Sequence, residues 1–152
     1  DIGKVGIPDS VLLKYGPLDA REFEIMKSHT VIGAATLQDA VERFPGVRFL
    51  QMARDIVATH HERYDGSGYP RGLAGDDIPL CGRIVKLADT YDALRAKRPY
   101  KPAMSHDDAC RTILQGDGRT HPRHFDPVVL AAFRAQEERF ARIVERFGDD
   151  PA

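Results

Sequence analysis

The chain has 152 residues, enough to bury one continuous core and a common size for a single domain. Lys+Arg 22 against Asp+Glu 23 leaves a net charge of -1, so no global field draws it to a nucleic-acid polymer or an anionic membrane, and any anion site has to be local. No apolar run approaches the ~20 residues of a membrane span, and Cys81 and Cys110 share no metal-ribbon spacing, reading as buried thiols of a reducing, cytoplasmic compartment.

The opening Asp1-Ile2-Gly3-Lys4 has no initiator methionine and reads as part of a longer protein. Asp19 and Glu22 form a capping box ahead of Phe23, Ile25 and Met26, which starts a helix at Ala20. Val31, Ile32, Ala35, Leu37 and Val41 recur near helical spacing, as a second helix or a continuation, with Gly33 open to close packing. Phe44-Pro45-Gly46 breaks that pattern. Phe49, Leu50, Ala53, Ile56 and Val57 then mark a helix that runs into His60-His61. Asp65 to Pro79 holds four glycines and two prolines, an irregular loop that has to be ordered by its own contacts, with Glu62 and Asp65 as its anchors. Ile84, Val85, Leu87, Ala88, Tyr91 and Leu94 describe the next helix. Asp89 and Asp92 fall beside its apolar face, where a carboxylate needs a partner, and Asp92 reads as capping or pairing within that helical core. Ser105 caps a short helix through Leu114 with Asp108 at the box position, and Asp126-Pro127 opens one last helix through Phe147. Strand signals are absent, so the pattern predicts a single all-α domain with a frayed tail.

The polar residues these helices leave unexplained are Asp1, His29, His60, His61 and Asp89, with the cations Lys4, Arg98 and Lys101. Helix neighbours point roughly 100° apart, so His60-His61 suits two adjacent metal sites better than chelation of one ion. The alternative is a chance pair favoured by the negative end of a helix dipole. For His29 the plain alternative is a helix-end residue, for Asp89 a core ion pair, and for Arg98 and Lys101 a solvated basic patch. His106, His121 and His124 read as surface or loop-stabilising. All the candidate ligands are nitrogen or oxygen donors, which suits iron, manganese or zinc rather than a thiolate centre. Two ions about 3.5 to 4 Å apart can activate water, polarise a phosphoryl group and steady the leaving oxygen, which is phosphoester hydrolysis.

Three stretches together carry a resemblance: Asp1-Ile2-Gly3-Lys4-Val5-Gly6-Ile7-Pro8-Asp9, the run His60-His61-Glu62-Arg63-Tyr64-Asp65-Gly66-Ser67-Gly68-Tyr69-Pro70, and Arg83 to Leu94 with its Lys86-Leu87-Ala88-Asp89-Thr90-Tyr91-Asp92. With Lys97-Arg98-Pro99-Tyr100-Lys101 and His124-Phe125-Asp126-Pro127 added, the chain resembles the HD-GYP family of bacterial cyclic di-GMP phosphodiesterases over all but its last ~20 residues. The resemblance implies an HD-domain helical bundle with an ordered GYP loop, spanning 1–148 without its first helix and without the histidine that would precede Asp1, and a frayed tail at 149–152. It implies metal ligation of two or three divalent ions, iron or manganese first, by Asp1, His29, His60, His61 and Asp89. It gives Asp1 and Lys4 catalytic roles, and Lys4, Tyr69, Arg98 and Lys101 contacts with substrate. Gly68, Tyr69 and Pro70 form the name-giving loop, which also meets GGDEF-domain partners. An upstream receiver or sensory domain follows from the same resemblance. Three activities fit: hydrolysis of cyclic di-GMP to pGpG and on to GMP, a degenerate module that binds a ligand or GGDEF partner without turnover, and a phosphohydrolase for another cyclic nucleotide.

Overall fold

The structure is a computed structural model and describes residues 1–97 and 102–147. Seven α-helices occur among the described residues: α1 (Asp9–Leu12), α2 (Ala20–Arg43), α3 (Arg48–Thr59), α4 (Leu80–Arg95), α5 (His106–Gln115), α6 (Pro127–Arg134) and α7 (Glu137–Phe147). A 3-10 turn, Ile2–Gly6, precedes them. No strand occurs among the described residues; Asp65 and Ala74 make one isolated bridge. The all-α class expected from the periodicity is what the chain adopts.

Local chemistry explains where the helices start and stop. The Asp19 carboxylate accepts from the Glu22 N–H at 2.8 Å and the Glu22 carboxylate accepts from the Asp19 N–H at 2.7 Å, so two of the four orphan donors at the start of α2 are satisfied. From there α2 runs unbroken for 24 residues, about 36 Å. The Val31–Val41 segment is therefore a continuation, and His29 lies in mid-helix rather than at an end. His29, Thr30, Gly33 and Val41 form its buried side, which packs on α3 and on the N-terminal turn. In α4 the buried residues are Gly82, Leu87, Tyr91 and Leu94. Asp92 is exposed, not paired in the core, because it stands about 100° round the helix from Tyr91.

The expected single last helix is two. Ala135 and Gln136 form a turn between α6 and α7, which brings the Phe133 and Phe140 rings to 4.9 Å centroid to centroid in edge geometry. On a straight helix those residues would be separated by about 10 Å along the axis. Both pack with Tyr91 against the core of Leu94, Ala109, Cys110, Ile113 and Phe125, and that burial outweighs helix continuity. Arg83 ties α4 to the start of α6 by an ion pair of 2.7 Å with the buried Asp126. No helix among the described residues is long and apolar enough to cross a membrane.

Candidate metal centre

The first member of the site is placed by two glycines. A Cβ on Gly3 would come within 1.9 Å of the His29 carbonyl oxygen and 2.5 Å of the Gly33 N–H nitrogen, so only hydrogen atoms at Gly3 let the N-terminal turn lie directly on α2. That approach carries Asp1 to the middle of α2, beside His29.

The imidazoles are oriented by backbone carbonyls. His29 Nδ1 lies 2.7 Å from the Met26 oxygen, and His60 Nδ1 lies 3.1 Å from the Ile56 and Val57 oxygens. A carbonyl only accepts, so Nδ1 carries the proton in both rings and Nε2 keeps its lone pair. Both Nε2 atoms are buried and have no hydrogen-bond partner among the described residues. They lie 3.5 and 3.8 Å from the same Asp1 carboxylate oxygen, Oδ1. Ligand atoms of Asp1, His29, His60 and His61 all fall within 4.8 Å of one another. Lone pairs buried without donors are costly. A divalent cation satisfies all of them at once, and neutral imidazole with its far nitrogen tied to a carbonyl is how metal-ligating histidine is held.

The pair His60-His61 lies where α3 gives way to the loop. α3 ends at Thr59, His60 is its C-cap, and His61 already belongs to the turn that follows. The two rings stand 4.1 Å apart, and both residues belong to the cluster. Burial pulls the pKa of His29 and of His60 below the ordinary imidazole value, and that of His61 down to about 2 through burial and then the charge of His60. All three are neutral near pH 7, as ligation needs.

The glycine-rich loop closes over His61. Tyr69 stacks on its ring at 4.7 Å and 20°, and meets the edge of Phe23 on α2 at 6.0 Å. Lys27 covers the Tyr69 ring from 5.7 Å. Gly68 permits this because a Cβ there would stand 2.3 Å from the Arg63 nitrogen. The loop is pinned from beneath by Glu62, 1% exposed, whose carboxylate accepts from the N–H groups of Arg71 at 2.8 Å and Leu73 at 3.1 Å. Asp65 accepts from Ser67 and pairs with Arg123 at 3.1 Å. Both acids are the anchors expected of them. His124 is buried, and its carbonyl accepts from Tyr64 N–H, which holds the other side of the loop.

Of the remaining expected residues, Lys4 meets the second Asp1 oxygen, Oδ2, at 2.6 Å. Asp89 stands outside the four-residue group, on α4, yet its charge acts on His29, His60 and Tyr69. Pro70 is exposed at the lip of the loop. Arg98 and Lys101 lie outside the described residues. A cavity of about 330 Å³ adjoins the cluster, with His61 and Asp89 on its wall together with Arg63, Lys86, Arg119 and Phe125. The three cations were not singled out by the sequence, although Arg63 follows His61 by two positions and Lys86 precedes Asp89 by three. Burial lowers the Lys86 pKa.

The HD domain family profile matches residues 1–129. Over 149 residues the chain is 52% identical to a protein of Vibrio cholerae named cyclic di-GMP phosphodiesterase, covering 98% of this chain and 30% of that protein. Over 150 residues it is 43% identical to a cyclic di-GMP phosphodiesterase of Thermotoga maritima, covering 99% of this chain and 38% of the other. A 3'3'-cGAMP-specific phosphodiesterase of Vibrio cholerae is 43% identical over 143 residues, 94% of this chain and 26% of that protein. The chain thus spans about a third of the length of the curated relatives it matches.

Proposed function

Since the chain belongs to the HD domain family, we propose that it is the phosphodiesterase part of a bacterial signalling protein and hydrolyses cyclic di-GMP to linear pGpG, and further to GMP. The observation that carries the reading is the pair of buried, partnerless Nε2 atoms of His29 and His60 facing one oxygen of Asp1. The two relatives named for cyclic di-GMP supply the substrate.

Asp1, His29, His60 and His61 would hold the metal, with Asp89 completing the set from α4; two or three ions, iron or manganese, suit these donors. Bound there, such ions supply Lewis-acid polarisation of the phosphoryl group and a lowered pKa for the attacking water. The chain's own residues do the rest. Asp1 divides its carboxylate, Oδ1 toward the imidazoles and Oδ2 toward Lys4. Lys4 holds that orientation and has a proton to give to a leaving oxygen beside the cluster. Tyr69 fixes the plane of His61 and, with Pro70, forms the rim over which a substrate or a GGDEF-domain partner passes. An upstream receiver or sensory domain supplies regulation, and the site faces the cytoplasm, where cyclic dinucleotides are made.

The relative specific for 3'3'-cGAMP makes the hybrid cyclic dinucleotide the competing substrate. The test is product analysis of the intact, manganese- or iron-loaded protein with each dinucleotide in parallel. Linear pGpG that forms only with metal, and is lost in His60→Ala, supports the reading. Turnover of 3'3'-cGAMP alone overturns the substrate, and binding of either without turnover overturns the enzyme.

A further inference from the structure

We propose that the cavity behind His61 and Asp89 is a second phosphate subsite, in which Lys86 and Arg119, with Arg63, hold the phosphodiester of the cyclic dinucleotide that is not being cut. The inference rests on the cyclic di-GMP reading above. That substrate closes two phosphodiesters into one ring, so a site that brings one of them to the metal cluster has to receive the other nearby.

The cavity has the right place and chemistry. His61 belongs both to the cluster and to the cavity wall, with Asp89 beside it on that wall, so a ligand filling both stays continuous. Three elements contribute one cation each: Arg63 from the start of the loop, Lys86 from α4, and Arg119 from the segment between α5 and α6. Lys86 sits one helical turn before Asp89, and Thr90 and Ala93, further along the same face, also line the space. Lys86 is half-buried, and its ammonium makes no hydrogen bond or ion pair among the described residues. Asp89 and Arg63 are the charges that act on it. A cation withdrawn from water without a partner asks for an anion. Arg119 donates its backbone N–H to Asp117, and its exposed guanidinium makes no hydrogen bond or ion pair among the described residues, which leaves it for a phosphate. Three cations against one carboxylate leave the wall net positive, an excess that an anionic phosphodiester reduces and a neutral ligand does not. Phe125 and Leu94 give the apolar part of the wall, on which a ribose or the edge of a base can lie.

Steady-state kinetics of the intact, manganese-loaded protein test this with two substrates, cyclic di-GMP and bis(p-nitrophenyl) phosphate, a diester with no second phosphate. Lys86→Met keeps the apolar stem and removes the charge; Arg119→Gln changes an exposed side chain with little risk to folding. The ratio of kcat/KM on cyclic di-GMP to kcat/KM on the simple diester should fall roughly tenfold or more in each, through KM, the size expected for loss of a charged hydrogen bond to phosphate. Lys86→Arg should restore most of the ratio. Wild-type turnover of both substrates with an unchanged ratio in the two variants overturns the subsite alone. Equal losses on both substrates also overturn it, since they point to the metal cluster. A wild-type protein that cleaves the simple diester and leaves cyclic di-GMP intact overturns the substrate reading, and the subsite falls with it.

Discussion

Replacing Gly3 by alanine perturbs a close contact that brings Asp1 to the imidazoles. The new Cβ would lie 1.9 Å from the His29 carbonyl oxygen, and what has to yield is the backbone of a 24-residue helix, not a flexible side-chain tip. Reaching even the tight contact limit of 3.0 Å requires the turn to lift by 3.0 − 1.9 = 1.1 Å. Asp1 Oδ1 now lies 3.5 Å from His29 Nε2, a separation that one ion with ligand bonds of about 2.1 Å can span. An added displacement of about 1 Å takes the carboxylate beyond that reach. The expected result is a loss of manganese affinity of at least tenfold, in the range seen when the support of a ligand is removed. Overpacking adds about 1 to 3 kcal/mol of destabilisation, a Tm lowered by roughly 2 to 12 °C. Gly46→Ala is the control, since a Cβ there meets nothing within 4 Å. Isothermal titration with Mn(II) and thermal unfolding of both variants decide it. Unchanged affinity and Tm in Gly3→Ala would refute the placement of Asp1 by glycine packing.

Other expectations follow from the loop and from the buried acids and bases. Tyr69→Ala should weaken Mn(II) binding about tenfold by freeing His61, while Tyr69→Phe, which keeps the stack of 4.7 Å, should stay within about twofold of wild type; equal losses in titration contradict the stacking role. Glu62→Gln replaces one of two acceptor oxygens with a donor facing a backbone N–H at a site 1% exposed, so about 1 to 3 kcal/mol should be lost. Faster hydrogen exchange at the Arg71 or Leu73 amide is the sign to look for, and native protection at both contradicts it. Burial holds the His124 pKa down to about 4 from 6.5, so the unfolded chain takes up that proton first. Its contribution to stability is complete above about pH 6.5 and fades as pH falls toward 4. The Tm of wild type should therefore drop more steeply than that of His124→Asn between pH 7 and 4.5, and parallel curves would count against it.

Features that depend on local chemistry were legible in the chain. The Asp19–Glu22 box, the break at Phe44-Pro45-Gly46, and Glu62 as a loop anchor are each set by residues close in sequence. So were the candidates Asp1, His29, His60 and His61, polar residues the helical pattern left unexplained, which the fold brings together. What stayed hidden depends on long-range packing. The turn at Ala135-Gln136 carries no proline or glycine, and it exists because Phe133 and Phe140 both seek Tyr91. The cavity with Lys86 and Arg119 joins segments more than thirty residues apart, and periodicity identifies a helix face without saying what stands opposite. Asp92 shows the same limit, lying one position from a buried tyrosine and yet exposed.

X-ray absorption at the metal edge of the intact, iron- or manganese-loaded protein tests the central claim most directly, that the Nε2 atoms and Asp1 hold a cluster of ions. The account predicts imidazole scattering from at least two histidines, a neighbouring metal at about 3.5 to 4 Å, and loss of both in His60→Ala. A shell of oxygen ligands alone, with no imidazole and no second metal, would contradict it.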